Sequence, residues 1–254
     1  MKRITIALLV GLGITGMSHS VANAAVSAQD SIRLDKVRKV LKAVDDLDDM
    51  KLYGDVAELI YHANPGNSAG ELAGMEILKF GTPEQVARVR AALPDSILCQ
   101  ENVQRYLRYA DARAKTMPGT QYVDIEGEDI AGNKVRLSDF VKPSKYTLVD
   151  FWASWCPYCV RELTDMARLR DSFSRDDFEV VGVAVREETA KTQNMVQKKG
   201  IDWPEVYNTE RIPYDIYGFV GIPHHILIGP DGTIISRGES LDQIAGRLSN
   251  LIKK

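Results

Sequence analysis

The feature that most constrains this chain is a pair of cysteines, Cys156 and Cys159, set at the junction of a strand pattern and a helix pattern. Tyr146-Thr147-Leu148-Val149-Asp150-Phe151-Trp152 is nearly continuous in apolar and β-branched residues, the pattern of a buried strand. Pro157 to Phe173 then reads as a helix, with Leu163, Met166, Ala167 and Phe173 available as its core face. Pro157 suits the first helical position, where its missing N–H is not needed. A helix N-terminus carries unpaired N–H groups and partial positive charge. A thiolate at Cys156 is stabilised there, and Cys159, one turn on, lies within reach but further inside. This placement suits reversible disulfide chemistry without a cofactor: Cys156 attacks, a mixed disulfide forms, and Cys159 resolves it. A Cys-x-x-Cys pair is also half of a zinc site, but zinc needs further ligands at metal spacing. No second such pair occurs, and His224 and His225 are the nearest candidates.

The residues around this junction predict an α/β sheet. Tyr122-Val123-Asp124-Ile125 alternates like a strand, and Val135-Arg136-Leu137 follows a turn at Asp129 to Lys134. Phe178 to Val185 is a Val-rich central strand, and Thr189 to Lys199 a helix stopped by Gly200. His225–Ile228 and Thr233–Ser236 flank Gly229-Pro230-Asp231-Gly232 as a hairpin, and Ser240 to Gln243 is a capping box opening a last helix.

Before Met117-Pro118-Gly119 the periodicity is helical, with no catalytic motif. Ile32, Val37, Val40, Leu41 and Val44 form one face, Val86, Val89 and Leu93 a second, and Val103, Tyr106, Leu107 and Ala110 a third. Thr82 to Gln85 is a capping box, and Pro65 to Ser68 a break between helices. At the start, Lys2 and Arg3 precede an apolar stretch to Met17 and a small-x-small site at Ala22-Asn23-Ala24, the pattern of a cleaved secretory leader. An uncut membrane anchor is the alternative. The expected organisation is a leader at 1–24, a small helical region at 25–116 and an α/β domain at 117–254. A net charge of −3 gives no basic stripe for nucleic acid, and three cysteines are too few for a disulfide scaffold. The third, Cys99, is expected to be a small buried hydrophobe.

Three segments together carry a family resemblance. Asp150 to Cys159 resembles the active-site strand and turn of thioredoxin. Gly221-Ile222-Pro223 resembles the segment holding that family's cis-proline. Asn133 to Phe140 is similar to the lead-in of the TlpA/ResA family of exported bacterial thiol–disulfide oxidoreductases. The resemblance covers about Gly119 to the C-terminus and implies a thioredoxin-like fold. It implies that Cys156 and Cys159 are the redox pair, that Asp150 is a buried carboxylate helping to take the proton of Cys159, and that Glu162 matches an acidic position able to tune either thiol. Trp155 would shield the disulfide, with Trp152 packed beneath it. Pro223 would be cis beside Cys156, leaving the Ile222 backbone open to pair with a partner chain. Trp155, Pro157, Tyr158, Ile222 and Pro223 would then form the substrate-facing surface. The implied partners are exported proteins with disulfides and a membrane-bound electron donor, in the periplasm.

Two departures matter. Pro157-Tyr158 is the dipeptide between glutaredoxin cysteines, which predicts a couple less reducing than thioredoxin, at about −200 to −230 mV. His224, after Pro223, is a candidate for stabilising the Cys156 thiolate when protonated. A disulfide reductase or exchanger is the leading expectation, with a disulfide-donating oxidase its nearest rival. A copper-binding chaperone using Cys156, Cys159 and a His is a third reading. A peroxidase is the fourth; peroxiredoxins place Thr or Ser three residues before the reactive Cys, where Ala153 stands here.

Overall fold

Period-two alternation in the second half of the chain becomes a five-stranded mixed sheet. The structure is a computed structural model that describes residues 28–45 and 50–252; the expected secretory leader lies outside the described residues. Among these, the first helices are α1 (Ala28–Asp45), α2 (Met50–Ala63), α3 (Ser68–Phe80), α4 (Pro83–Ala92), the single turn α5 (Asp95–Leu98) and α6 (Glu101–Ala114). After them come β1 (Glu126–Glu128), β2 (Lys134–Arg136), β3 (Tyr146–Trp152), α7 (Pro157–Asp171), β4 (Phe178–Ala184), α8 (Thr189–Lys199), β5 (Glu205–Val206), α9 (Ile212–Tyr217), β6 (His224–Ile228), β7 (Ile234–Arg237) and α10 (Leu241–Leu251).

The chain divides into two compact units between Gly81 and Thr82, earlier than the boundary expected at 116/117. Residues up to Gly81 bury Val37, Leu41 and Val44 of α1 against Tyr53 and Ala57 of α2 and Ala73, Ile77 and Leu78 of α3. Ile32 and Val40 of the expected apolar face are exposed instead. Asn67 caps α3, its side chain accepting from Ala69 N–H at 3.0 Å and Gly70 N–H at 3.2 Å.

The second unit takes α4 and α6 because α6 packs on α9. Gly218 ends α9 at φ 65°, and a Cβ there would lie 1.9 Å from the Tyr109 carbonyl oxygen of α6. Only glycine admits both that left-handed backbone and that approach. The expected capping box at Thr82 and Gln85 is present at the start of α4. Cys99 is exposed at the end of α5, a surface turn with no buried residue, so it is not the core hydrophobe expected.

The sheet order is β5-β4-β3-β6-β7, with β3–β4 and β4–β5 parallel and β3–β6 and β6–β7 antiparallel. Alternation divides its side chains between two cores. Val149, Phe151, Val181, Val183, Ile226 and Ile228 face one, with Tyr214, Tyr217 and Phe219 of the α9 region. Leu148, Trp152, Phe178, Val180 and Leu227 face the other, with Leu163 and Met166 of α7 and Ile244 and Leu248 of α10. Tyr122 to Ile125 is irregular rather than a strand; Asp124 instead accepts from Ser138 N–H at 2.9 Å. Strand β5 and helix α9 lacked a strong enough local pattern to be anticipated.

Candidate active site

Cys156 is the N-cap of α7, and Pro157 begins the helix, as the sequence predicts. Cys156 and Cys159 are joined as a disulfide with Cα atoms 5.3 Å apart. The Cys159 N–H points at Cys156 Sγ at 3.2 Å, so an orphan donor of the helix start faces the sulfur. Both cysteines are buried, Cys156 with 4% exposure, and they pack on Trp152 and Leu163. The Ile222–Pro223 bond is cis, and the Ile222 carbonyl oxygen lies 3.6 Å from Cys156 Sγ.

Trp155 and Tyr158 flank the disulfide at 50% and 66% exposure. The Trp155 indole donates to the Arg186 carbonyl at 3.3 Å, and Arg161 lies 4.5 Å over the Tyr158 ring. With Ser154, Pro157 and Met195 they line a shallow groove of about 530 Å³. Glu187, not anticipated from the sequence, holds the turn from below: it accepts from Ser154 N–H at 2.8 Å and from the Thr192 hydroxyl at 2.6 Å.

Beneath the disulfide a polar row crosses the sheet. Register aligns Glu205 of β5 with Gly182 of β4, Gly182 with Asp150 of β3, and Asp150 with His225 of β6. All four positions fall on the face that carries Trp152 and Leu227. A Cβ on Gly182 would lie 2.1 Å from the Glu205 carboxylate, so this glycine makes room for it. Glu205 accepts from the Trp152 indole at 3.0 Å and the Trp203 indole at 3.0 Å. Burial, assisted by the charge of Asp150 and opposed by the two indoles, pushes its pKa up to about 8.

Asp150 is buried, at 2% exposure, as the resemblance implied. Its Oδ1 lies 3.5 Å from His225 Nε2, and Glu162 Oε2 lies 3.5 Å from the same nitrogen. Glu162 thus projects from α7 toward His225. Burial raises its pKa; the His225 charge opposes this and the Asp150 charge adds to it. Burial disfavours charge on His225, yet the contact and charge of Asp150, the charge of Glu162 and the Glu239 carbonyl outweigh it, and its pKa is raised.

His224 corrects an expectation. It is one residue from His225 on a strand, so it faces the other core, stacked on Phe219 at 4.8 Å and 3.4 Å from Arg237. Burial, with Arg237 and other cations, drives its pKa well below the ordinary value. It faces away from the side of the sheet that packs the two cysteines, so it is not a charged neighbour of Cys156. Among the described residues no group of three or more His, Cys, Asp or Glu is arranged to hold a metal ion. The place of His225 beside Asp150 and Glu162 is not anticipated by the sequence reading; the available signal is that two adjacent histidines on a strand face opposite sides.

A helix-capping Cys-x-x-Cys disulfide on a thioredoxin-like sheet, beside a cis-proline, defines a thiol–disulfide oxidoreductase. The AhpC/TSA family model matches residues 118–237. Thiol-disulfide oxidoreductase ResA of Bacillus subtilis (strain 168) is 30% identical over 128 residues, covering 50% of this chain and 70% of that protein. ResA of Halalkalibacterium halodurans is 27% identical over 150 residues, covering 58% and 84%. Among solved structures, the C-terminal domain of a thiol-disulfide oxidoreductase from Bacteroides thetaiotaomicron aligns with a TM-score of 0.50 at 18% identity, covering 54% of this chain and 97% of that one, a likeness of fold. The chain belongs to the family of ResA-type thiol-disulfide oxidoreductases.

Proposed function

We propose that this oxidoreductase reduces or exchanges disulfides in exported proteins and is recharged by a membrane-bound electron donor. The observation that carries the reading is Cys156 at the N-cap of α7, with the Cys159 N–H aimed at its sulfur. In the reduced protein this geometry stabilises a thiolate on Cys156. That thiolate attacks a substrate disulfide and forms a mixed disulfide, releasing one substrate sulfur. Cys159 then loses its proton and attacks Cys156 Sγ. The second substrate sulfur leaves, and the Cys156–Cys159 bond forms. Two electrons pass from the cysteine pair to the substrate, and the thiols themselves are the carrier, so the cycle needs no cofactor.

The Ile222 carbonyl beside Cys156 supports docking of an extended substrate segment against the loop, with Trp155 and Tyr158 as apolar contacts. Asp150, buried on the sheet face whose core includes Cys159, is in this reading the acceptor of the Cys159 proton. The basic start, apolar stretch and Ala22-Asn23-Ala24 site support export by a cleaved leader to the periplasm. Among the described residues no helix is long and apolar enough to cross a membrane.

The test is the reduction potential of the pair in glutathione buffers, with Cys156→Ser and Cys159→Ser as controls. A value in or below the range of about −200 to −230 mV supports a reductase, and within it Pro157-Tyr158 makes the couple less reducing than thioredoxin at about −270 mV. A value near about −120 mV makes the protein a disulfide donor. Absence of a two-electron couple refutes the reading.

A further inference from the structure

We propose that His225 is a buried imidazolium that binds Asp150 and Glu162 into one proton-holding unit beneath Cys159, and so sets the pH at which Cys159 can give up its thiol proton. The inference rests on the disulfide-exchange reading and adds a positioning residue to it.

Both ring nitrogens of His225 face acceptors. Nδ1 lies 3.1 Å from the Glu239 carbonyl oxygen, and Nε2 lies 3.5 Å from one oxygen each of Asp150 and Glu162. A neutral imidazole carries a lone pair on one nitrogen. With the two carboxyl groups ionised, either tautomer would set that lone pair against a carbonyl or against two carboxylates. Only the doubly protonated ring offers a donor to both sides. The residue is 4% exposed, so its charge is balanced by the carboxylates rather than by water.

The groups around it come from every packed element: Asp150 from β3, Glu162 from α7 on the same helix as Cys159, and the Glu239 carbonyl before α10. Glu205 on β5 reaches it through Asp150, and His224 beside it in sequence faces away toward Arg237. The charge-raising contacts exceed the cost of burial, in the direction an imidazolium requires.

The consequence falls on the resolving step. The Cys159 S–H passes its proton to a carboxylate of the unit; the thiolate attacks Cys156 Sγ; the bond from Cys156 to the substrate sulfur breaks, and that sulfur takes a proton from water. The imidazolium favours the charged form of a carboxyl group beside it, and one of these groups serves as the base. Glu162, its side chain 37% exposed, then returns the proton to solvent. Without the imidazolium, burial and the like charge of the neighbouring carboxyl group act uncompensated, so ionisation of the pair moves to higher pH and the acidic limb moves with it.

Two measurements on the full chain test this. In the disulfide form, nitrogen NMR of the ring at pH 7.5 is expected to show both His225 nitrogens protonated; a neutral tautomer overturns the proposal. In the reduced form, a nitrobenzoate disulfide releases one coloured thiolate when Cys156 attacks and a second when Cys159 resolves. For His225→Gln the acidic limb of the second phase is expected to move to higher pH, with resolution at pH 7 slower by about tenfold or more. For Glu162→Gln, which leaves a single carboxylate beside the cation, the limb is expected to move to lower pH. A structural role for His225 would not shift the two variants in opposite directions. Unmoved limbs, or limbs moved the same way, overturn the proposal. No release in either phase of the wild type sinks disulfide exchange itself. Should His225→Gln fail to fold, the NMR state and Glu162→Gln decide.

Discussion

Glu205 makes a quantitative prediction about stability. Its carboxylate is buried between two indoles and its pKa rises from 4.5 to about 8. The native state therefore keeps a proton that the unfolded chain releases above about pH 4.5. Wherever the native state binds more protons, stability falls as pH rises. The loss runs from about pH 4.5 to pH 8 and then stops, and at about 1.4 kcal/mol per unit it totals on the order of 5 kcal/mol. Glu205→Gln removes the titration. It also turns an amide donor toward one indole N–H, a fixed cost of about 1–3 kcal/mol at every pH. The slope, not the offset, is the signature. All three tryptophans, Trp152, Trp155 and Trp203, lie in the unit that starts at Thr82, so tryptophan fluorescence in urea follows that unit alone. With the disulfide intact, the wild type should lose on the order of 3 kcal/mol relative to Glu205→Gln between about pH 5.5 and pH 8. Parallel curves, within about 0.5 kcal/mol across that range, refute a buried neutral Glu205.

Two other substitutions test the cysteine chemistry and the place of α6. Cys159→Ser keeps the attacking sulfur but not the resolving one, so turnover should stop and a covalent mixed disulfide should accumulate, seen as added mass under non-reducing conditions; Cys156→Ser should trap nothing. Gly218→Ala should destabilise the second unit by about 2–3 kcal/mol or more in urea, since its Cβ would strike the backbone of α6. Gly200→Ala has the same φ of 65° but open space around it, and should cost only about 1–2 kcal/mol; equal losses would show that the close approach contributes nothing.

The parts of this protein legible in the sequence are those set by local chemistry. Cys156, Pro157 and Cys159 specify their own helix start, because a cap, a proline and a following donor act within one turn. Gly200 stops α8 and Ser240 opens α10 for the same reason. The family match starts at 118, close to the expected boundary, while the compact unit begins earlier because the packing of α6 on α9 joins residues far apart in the chain, and neither helix pattern names its neighbour. Tyr122 to Ile125 alternates, yet alternation does not supply a strand to pair with. Cys99 departs from the common burial of cysteine because a single-turn helix has no inner face to bury it.

The polar row explains why the site was only half legible. Asp150 is legible through the resemblance of Asp150 to Cys159 to the thioredoxin active-site strand, but its partners are chosen by register. Sliding β6 by one residue would exchange His225 for His224 on this face and remove the partner of Asp150. The same register sets Gly182 beside Asp150 and opposite Glu205, so the missing Cβ on one strand and the buried acid on the next are a single arrangement. Each member is costly alone in an apolar sheet. Together they place a buried acid, a second carboxyl group and an imidazole in one row, with Glu162 closing it from α7. Burial suppresses the charge on Glu205, while the carboxylates sustain it on His225. Asp150 is thus held between a group that has given up its charge and one that keeps it. The pH response of Cys159 should therefore follow the composition of the row rather than the residues between the two cysteines.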